Sequence, residues 1–389
     1  MKSFIVFAAL SIGVTFLSSC HKNTPKYTSP TPTTPAAVAT GMYVLSTDDI
    51  RSMTTLAYYN FASKTLGPDL LGAIGGPGVG YGVVDMIVYG TKIYLADNGV
   101  NYRRVCTPTI DVLDAGTGRL LAQIPYTLKR PGSGSASTGQ VARLTKFNGS
   151  VFVGNSNGTI AEVDTSALTI KRYARVGDFA VGGIAGANGQ LFCALEDVES
   201  DSVAVLDLAT WSLKGRIKVM DEPANMVADP FGNIYAISID DDDAFNIPHV
   251  NPDTLGLPSN PSYGGFAVIN SATDLVTSET QTRIVFSPWA AFFQDSLYYL
   301  TDNAVHVFNT RTQTLVNPNL VTVGSPNDVL THLNVNPATA EVLVAICGLK
   351  LSGGQYIFNP ATVNVYDTHG KMEYSFQSNL PTVLQTAFL

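Results

Sequence analysis

The stretch that decides the fold is DSVAVLDLATWSLKGRIKVMDEPANMVADPFGNIYAIS, residues 201–238. It holds four short runs rich in apolar residues, and small or polar turn residues separate them. Alternation of apolar and polar residues is typical of half-buried strands. The Asp207 that ends the first run is expected to open a turn, because an Asp side chain there bonds its own backbone two residues on. The stretch therefore predicts four antiparallel strands in succession.

This pattern recurs along the chain. One series of strands reads LAYYN, IDVLD, IAEVD, VAVLD, FAVIN, VHVFN and VNVYD, and these runs end at Asn60, Asp114, Asp164, Asp207, Asn270, Asn309 and Asp367. A second series, from MYVL and KIYLA to EVLVA, precedes the first. Repeats of four short strands are the signature of a β-propeller, in which each repeat forms one blade. We therefore predict an all-β fold, a seven-bladed β-propeller of four-stranded antiparallel blades.

The repeat at residues 201–238 resembles the YVTN-type (YncE-like) propeller repeat. The likeness rests on the strand that ends in Asp, the small turn, PANM, PFG and the apolar-Tyr pair in NIYAIS. In outline it covers residues 41–389, and the second, fifth and seventh units depart from it by carrying long insertions. The resemblance implies a propeller lipoprotein of the Gram-negative envelope, but a shared fold says little about activity.

The two ends of the predicted propeller complement each other. With strands A to D running from the axis to the rim, GMYVLS at residues 41–46 is a strand B. The final LPTVLQTAFL, residues 380–389, is an A-type strand with no B after it. We predict that this last strand completes the first blade and leaves no unpaired edge in the ring.

The N-terminal segment predicts an anchor. Lys2 and an apolar run too short to span a bilayer are typical of a secretory signal peptide. LSSC at residues 17–20 resembles the lipobox of bacterial lipoproteins, which implies cleavage before Cys20 and lipid on its thiol; an ordinary signal peptide is the alternative. Residues 20–40 are rich in Pro and Thr and predict a tether. The expected organisation is signal peptide 1–19, lipidated Cys and tether 20–40, and propeller 41–389.

The amino-acid composition narrows the classes of partner that the protein is expected to bind. The net charge is −8 and only 14% of residues are charged, without a basic cluster, which argues against nucleic acid. Membrane contact is expected through the lipid, at the outer membrane, with the periplasmic leaflet and the cell surface both open. Apart from Cys20, the chain has three cysteines, and their spacing is typical of neither a disulfide framework nor a zinc site. They are Cys106, Cys193 and Cys347. We expect a monomer apart from its partners.

The predicted loops are unequal on the two faces of the ring. B–C and D–A loops share one face, here the long-loop face, and every long insertion falls there. A–B and C–D turns share the other, the short-turn face. Long loops on a rigid scaffold are the usual place for binding. We therefore expect the long-loop face to be the functional one.

Several residues of that face suit a small-molecule ligand. Tyr102, Arg103 and Arg104 could stack on a planar group or bind a carboxylate or phosphate. Acidic and amide residues recur after strand B, Asp97 and Glu196 among them, although turn capping also explains them. For each aromatic residue the alternative is packing on the rim. The predicted ligand-binding residues are Asp97, Tyr102, Arg103, Arg104, Asp243, Phe245, Asn246, Tyr263, Trp289 and Tyr356.

The acidic run IDDDDAFNIPHVNP, residues 239–252, opens the longest insertion. Asp241, Asp242 and Asp243 could supply oxygens to calcium, the one cofactor considered. Their spacing fits no EF-hand loop, and adjacent residues of an extended segment point in opposite directions, so a solvated acidic turn is the favoured interpretation. No catalytic residues are predicted, because the chain has no HExxH, phosphate loop or Ser-His-Asp order in its motif context.

These observations favour a lipid-anchored, non-enzymatic propeller that captures a small molecule or associates with an outer-membrane importer. Lipoprotein propellers similar to this one include corrinoid-capturing proteins that hand cobalamin to a TonB-dependent transporter, which makes a corrinoid one candidate ligand. One alternative is a protein–protein scaffold in an envelope complex. Another is a propeller enzyme such as a lactonase, which would need carboxylates with His or Arg in the central channel. Quinoprotein dehydrogenases use a tryptophan docking motif, whereas this chain has two Trp.

Overall fold

Short strands make up almost all of the structure, a computed structural model. It describes residues 39–48, 53–74, 82–98, 100–101, 104–105, 107–126, 141–196, 200–220, 222–238, 263–283, 286–301, 304–322, 330–352 and 355–389. Within these ranges, seven four-stranded antiparallel sheets follow one another along the chain and form the blades of a β-propeller. The predicted fold is confirmed.

Blades 1 to 3 and their connections occupy the N-terminal half. Blade 1 contains β1 (Gly41–Asp48), β2 (Met53–Asn60), β3 (Thr65–Leu66) and, as its innermost strand, β32 (Thr382–Phe388). After helix α1 (Leu70–Ile74), blade 2 contains β4 (Val83–Tyr89), β5 (Lys92–Asp97), β8 (Thr109–Asp114) and β9 (Leu120–Pro125), with a hairpin of β6 (Val100–Asn101) and β7 (Arg104–Val105) inserted. Blade 3 contains β10 (Val141–Phe147), β11 (Ser150–Asn155), β12 (Thr159–Asp164) and β13 (Thr169–Arg175).

Blades 4 to 7 complete the ring. Blade 4 contains β14 (Ala180–Ala187), β15 (Gln190–Glu196), β16 (Ser202–Asp207) and β17 (Ser212–Lys218). Blade 5 contains β18 (Pro223–Ala228), β19 (Asn233–Ser238), β20 (Tyr263–Asn270) and β21 (Leu275–Arg283). Blade 6 contains β22 (Phe286–Phe293), β23 (Ser296–Thr301), β24 (Ala304–Asn309) and β25 (Thr314–Thr322). Blade 7 contains β26 (Leu330–Val335), β27 (Val342–Ile346), β30 (Thr362–Tyr366) and β31 (Met372–Gln377), with a hairpin of β28 (Leu349–Ser352) and β29 (Gln355–Phe358) inserted.

The middle strands of each blade are buried on both faces, because each blade packs between two others. β15 is buried along nearly its whole length, whereas the outermost β13 alternates between exposed and half-buried residues. The core between blades 2 and 3 includes Tyr94, Val112 and Val153. Apolar side chains on both faces of the middle strands therefore hold adjacent blades together through burial.

Asp or Asn residues shape the C–D turns, as the sequence predicts. Asp114 Oδ1 accepts hydrogen bonds from the backbone N–H groups of Gly116 and Thr117, at 3.1 and 2.8 Å. Equivalent bonds form in the other blades, where the acceptors are Asn60, Asp164, Asp207, Asn270, Asn309 and Asp367. Each side chain thus satisfies turn donors that no strand partner reaches.

The inserted secondary structure lies on one face of the ring. Helix α1 belongs to the D–A connection from blade 1 to blade 2, and both hairpins are B–C connections. These connections all belong to the long-loop face. In the described part of the chain, no helix is long and apolar enough to cross a membrane. The predicted signal peptide and Cys20 lie outside the described residues, as does all of the tether except residues 39–40.

The last strand closes the ring through β1. Met42, Val44 and Thr47 of β1 pair with Phe388, Thr386 and Thr382 of β32. These pairs confirm the predicted joint between the two ends of the propeller. Since every other blade is continuous in sequence, this joint is the one place where a blade is held together only by noncovalent contacts.

We expect removal of residues 380–389 to destabilise the whole ring. Without β32, β1 becomes an unpaired inner edge and the blade 1 core opens to water. The melting temperature of the truncated protein, followed by circular dichroism, should fall well below that of the full chain. A synthetic peptide of residues 380–389 added in trans should restore part of the loss. A truncated protein that melts like the full chain would contradict closure by this strand.

Candidate functional site

The seven innermost strands surround a central cavity of about 550 Å³. Every blade contributes to its wall, and this volume lies within the range typical of small-molecule sites, roughly 300–1,000 Å³. The innermost strands begin at the long-loop face and end at the short-turn face. We call the two ends of the cavity the long-loop end and the short-turn end.

Each innermost strand has a β-bulge close to the long-loop face. In blade 2, for example, Val83 pairs with Asp97 and Asp85 pairs with Ala96, so Val84 has no partner on β5. Such a bulge turns the neighbouring side chains and increases the local twist. The cavity-lining residues at or just after the bulges are, from blade 1 to blade 7, Gln385, Asp85, Arg143, Gly183, Asn225, Trp289 and His332.

Asp85 connects three blades. Its Oδ1 accepts hydrogen bonds from the backbone N–H of Met86 at 2.7 Å and from Gln385 Nε2 at 3.2 Å. Its Oδ2 accepts from the backbone N–H of Leu144 at 2.8 Å. Burial raises the pKa of Asp85, while the charge of Arg143 and these hydrogen bonds act in the opposite direction. Both oxygens are therefore occupied by protein donors, and Asp85 acts mainly to hold the inner strands.

His332 makes the corresponding contact between blades 7 and 1. The backbone N–H of Thr386 donates to His332 Nε2 at 3.2 Å, so the proton of the neutral ring belongs on Nδ1. This Nδ1 is buried and has no hydrogen-bond partner among the described residues. Burial lowers the pKa of His332 to about 3, so the ring is neutral near pH 7. Trp289 packs edge-on against it, with the ring centroids 5.0 Å apart.

Arg143 and Glu196 meet at the bulge of blade 4. Arg143 Nε donates to the backbone carbonyl of Gly182 at 2.7 Å. Glu196 is the last residue of β15, and its Oε2 lies only 2.5 Å from where a Cβ on Gly182 would be. Burial raises the pKa of Glu196, and the charge of Arg143 lowers it. A half-buried carboxyl group thus interacts with a guanidinium at the long-loop face.

Gly182 and Gly183 allow this close approach. A Cβ on Gly183 would overlap the backbone of Met226 and Asn225 in blade 5. A Cβ on Gly182 would overlap the Glu196 carboxyl group. Two glycines therefore allow blade 5 to pack on blade 4 and the Glu196 carboxyl group to lie against the backbone of Gly182.

The residues predicted from sequence fall into three groups. Trp289 lines the cavity, and Asp97 is fully buried at the end of β5, where its role as a ligand contact stays a prediction. Arg104, Tyr263 and Tyr356 belong to β7, β20 and β29 by their backbone, and their side chains are outside the described part. Wholly outside it lie Cys20, Tyr102, Arg103, Asp241, Asp242, Asp243, Phe245 and Asn246.

Calcium binding at the acidic run likewise stays a prediction, because residues 239–262 are not among those described. Elsewhere, within the described ranges, no group of three His, Cys, Asp or Glu side chains is placed to hold a metal ion.

Sequence reasoning missed the polar residues that follow the bulges. In VVDMIVY, VARLTKF, PANMVA and LTHLNV, the third residue is the polar Asp85, Arg143, Asn225 or His332. A polar residue at the same position of several otherwise apolar inner strands is a signal that an alignment of the repeats would show. The sequence places Glu196 among the acidic residues after strand B, but its contact with Gly182 depends on the bulge.

Comparison with known proteins supports the fold. No protein-family model matches the chain, and no curated protein matches it. A quinonprotein alcohol dehydrogenase-like protein from Bacteroides thetaiotaomicron is 14% identical, with a TM-score of 0.59 over 90% of this chain and 78% of that one. The computationally designed Ika8 protein is 13% identical, with a TM-score of 0.52 over 89% of each chain.

A third similar structure is Raptor from Chaetomium thermophilum, 13% identical, with a TM-score of 0.55 over 79% of this chain and 26% of that protein. At these identities the likeness shows the β-propeller fold and nothing about activity.

Substitution of Gly183 tests the packing at the bulge. We expect Gly183→Ala to lower the free energy of unfolding by about 1–3 kcal/mol, since the added methyl group would overlap the backbone of blade 5. Gly215→Ala is the control, because a Cβ there meets nothing within 4 Å. Urea denaturation should show the control unchanged or slightly stabilised. Equal effects of the two substitutions would contradict the close contact.

Burial of His332 predicts a loss of stability in acid. The unfolded chain takes up a proton below the ordinary His pKa of 6.5, whereas the folded ring does so only near 3. Stability contributed by the neutral ring is therefore lost as pH falls from 6.5 toward 3, by about 1.4 kcal/mol per pH unit. Between pH 7 and pH 5, the wild type should lose about 2 kcal/mol more than His332→Gln in urea denaturation. The same loss in both proteins would refute a buried neutral ring.

Proposed function

We propose that this propeller is a non-enzymatic binding protein that captures a small polar molecule at the long-loop end of its central cavity. The observation that carries the proposal is the ring of residues at the bulges. In a fold whose interior is mostly apolar, Arg143, Asn225 and the indole of Trp289 line one end of a cavity large enough for a ligand. An apolar cavity with a few convergent polar groups is the usual form of a small-molecule site.

The location of the cavity also supports binding. The long-loop end opens on the face where α1 and the two hairpins lie. Loops and hairpins on that face are in a position to contact the part of a ligand that extends beyond the cavity. The predicted residues of this face, Tyr102 and Tyr356 among them, belong to the same proposal.

The cellular setting is part of the proposal and comes from the sequence. We propose a YVTN-type lipoprotein of the envelope, held at the outer membrane by lipid on Cys20. Association with an outer-membrane transporter and capture of a corrinoid follow from the same resemblance. At 14% identity, the likeness to a quinonprotein alcohol dehydrogenase-like protein carries no dehydrogenase activity over to this chain.

A second candidate is a propeller enzyme such as a lactonase, and one observation favours it. Asp85 lines the cavity and interacts electrostatically with Arg143, as does Glu196 at the end of β15, and a carboxyl group with a raised pKa is suited to general acid–base catalysis. Against it, the oxygens of Asp85 accept protein hydrogen bonds, and His332 Nε2 accepts from Thr386. Glu196 alone would have to act as acid or base, so binding is the simpler function.

A pair of substitutions on one strand tests the binding site. Trp289 and Phe292 both belong to β22 and both line the cavity, but Phe292 lies near the short-turn end. The thermal stability of the full chain is measured with a panel of amines, sugars, carboxylates and cyanocobalamin. We expect at least one compound to raise the melting temperature of the wild type and of Phe292→Leu, but not of Trp289→Leu.

The expected shift follows from mass action, since binding to the native state alone adds about 2.7 kcal/mol at a concentration 100 times Kd. A panel without any effect, or a shift that Phe292→Leu abolishes and Trp289→Leu keeps, would contradict the proposal. Turnover of a lactone assayed in parallel, lost in Glu196→Gln, would instead support the enzyme.

A further inference from the structure

We propose that the short-turn end of the cavity is a second site, which binds the carboxylate of a small organic acid at Lys146 and its hydrocarbon part along the apolar wall. This site is separate from the capture site proposed at the long-loop end and does not depend on it. The charges of the cavity wall, the contacts of Lys146 and the equivalent positions of the other blades all favour such a ligand.

The wall of the cavity carries an excess of positive charge. Among the described residues that line it, the acidic and basic ones are Asp85, Arg143 and Lys146, since His332 is neutral near pH 7. The wall is therefore positive whether or not Asp85 holds its proton, although the chain as a whole has a net charge of −8. An anionic ligand balances this local charge, whereas a cationic ligand would add to it.

Lys146 is the charged residue with donors left for a ligand. It is the second-last residue of β10, and its Nζ donates to the backbone carbonyl of Val88 in blade 2 at 3.1 Å. In the described part of the chain, Lys146 makes no other hydrogen bond and no ion pair. An ammonium group has three N–H donors, so two of them remain for oxygen atoms of a ligand.

The ammonium group of Lys146 lies in a concave setting. Solvent reaches the residue, which lines the cavity. The protein atoms around it are nevertheless close enough that burial lowers the pKa of its amino group. Electrostatic interactions and hydrogen bonds are stronger in such surroundings than on an open surface. A carboxylate is therefore bound more favourably at Lys146 than at a lysine on the outer rim.

The other residues at this end of the cavity are apolar. Lys146 lies three residues past the bulge residue Arg143, or about 10 Å of strand. The residues three positions past the bulge residues of blades 1, 2, 4, 5 and 6 also line the cavity, and these are Phe388, Val88, Gly186, Ala228 and Phe292. One cation on an apolar wall suits a monoanion with a hydrocarbon part, whereas phosphate needs several charged donors.

Isothermal titration calorimetry of the full chain tests this site with matched probes. The probes are hexanoate, hexan-1-ol, acetate and inorganic phosphate. We expect hexanoate to bind at least tenfold more tightly than acetate, because each buried methylene adds about threefold. Hexan-1-ol has the same chain length without the charge, and phosphate has charge without a hydrocarbon part. Each of these two should bind at least tenfold more weakly than hexanoate.

Two variants locate the carboxylate. Lys146→Met retains an apolar side chain of similar length and removes the charge, so it should weaken hexanoate binding about tenfold or more. Lys371→Met is the matched control, because Lys371 is exposed on the same face and does not line the cavity. This control should bind hexanoate as the wild type does. Circular dichroism checks that both variants fold, and the comparison with hexan-1-ol measures the charge requirement on the wild type itself.

The outcomes separate this site from the capture site. Absence of hexanoate binding, equal binding of hexan-1-ol, or unchanged affinity in Lys146→Met would overturn the proposal, as would tighter binding of phosphate than of hexanoate. Trp289→Leu, at the other end of the cavity, should keep the wild-type affinity for hexanoate. Binding that Trp289→Leu abolishes and Lys146→Met keeps would assign the acid to the long-loop end and overturn the second site.

Discussion

Backbone pairing between β1 and β32 is the constraint on which the rest of this structure depends. It closes a ring in which each blade is otherwise supported by its neighbours, and it also completes the cavity wall. Gln385 and Thr386 lie on β32, and they supply the donors that reach Asp85 in blade 2 and His332 in blade 7. The polar ring at the long-loop end therefore exists only in the closed propeller. The same strand is thus needed for the closed fold and for the contacts at this end of the cavity.

The bulges explain how polar residues are tolerated near the axis of an apolar fold. Each innermost strand has one edge without a neighbouring strand, and backbone N–H groups along that edge need acceptors. Three side chains supply these acceptors. Asp85 accepts from the backbone N–H groups of Met86 and Leu144. Asn225 accepts from that of Met226, and His332 accepts from that of Thr386. Burial of these side chains is thus offset by hydrogen bonds that the backbone requires. Glu196 stands apart, because its carboxyl group lies against Gly182, where a Cβ would overlap it.

The sequence was sufficient to predict the blades, their number and the closure of the ring. The alternation of apolar and polar residues and turn residues such as Asp114 are local signals. It was insufficient for the site. Asp85 and Arg143 reach the cavity through a break in register between two strands, and single-strand patterns do not show such a break. The role of Gly182 depends on a neighbour 14 positions away, Glu196, which lies across the blade. The long loops also led to a predicted site at residues such as Tyr102, whereas the polar residues described at the bulges lie on the innermost strands.

Closure by β32 also determines where on the ring the propeller can be attached to another body. Thr40 N donates to the carbonyl of Leu389 at 3.1 Å, so the chain enters and leaves the ring at one point. That point lies on the short-turn face, because β1 starts there and β32 ends there. Any support joined to either end of the propeller, whether a lipid, a fusion partner or a sensor chip, is therefore attached at the short-turn face, opposite the long-loop end of the cavity.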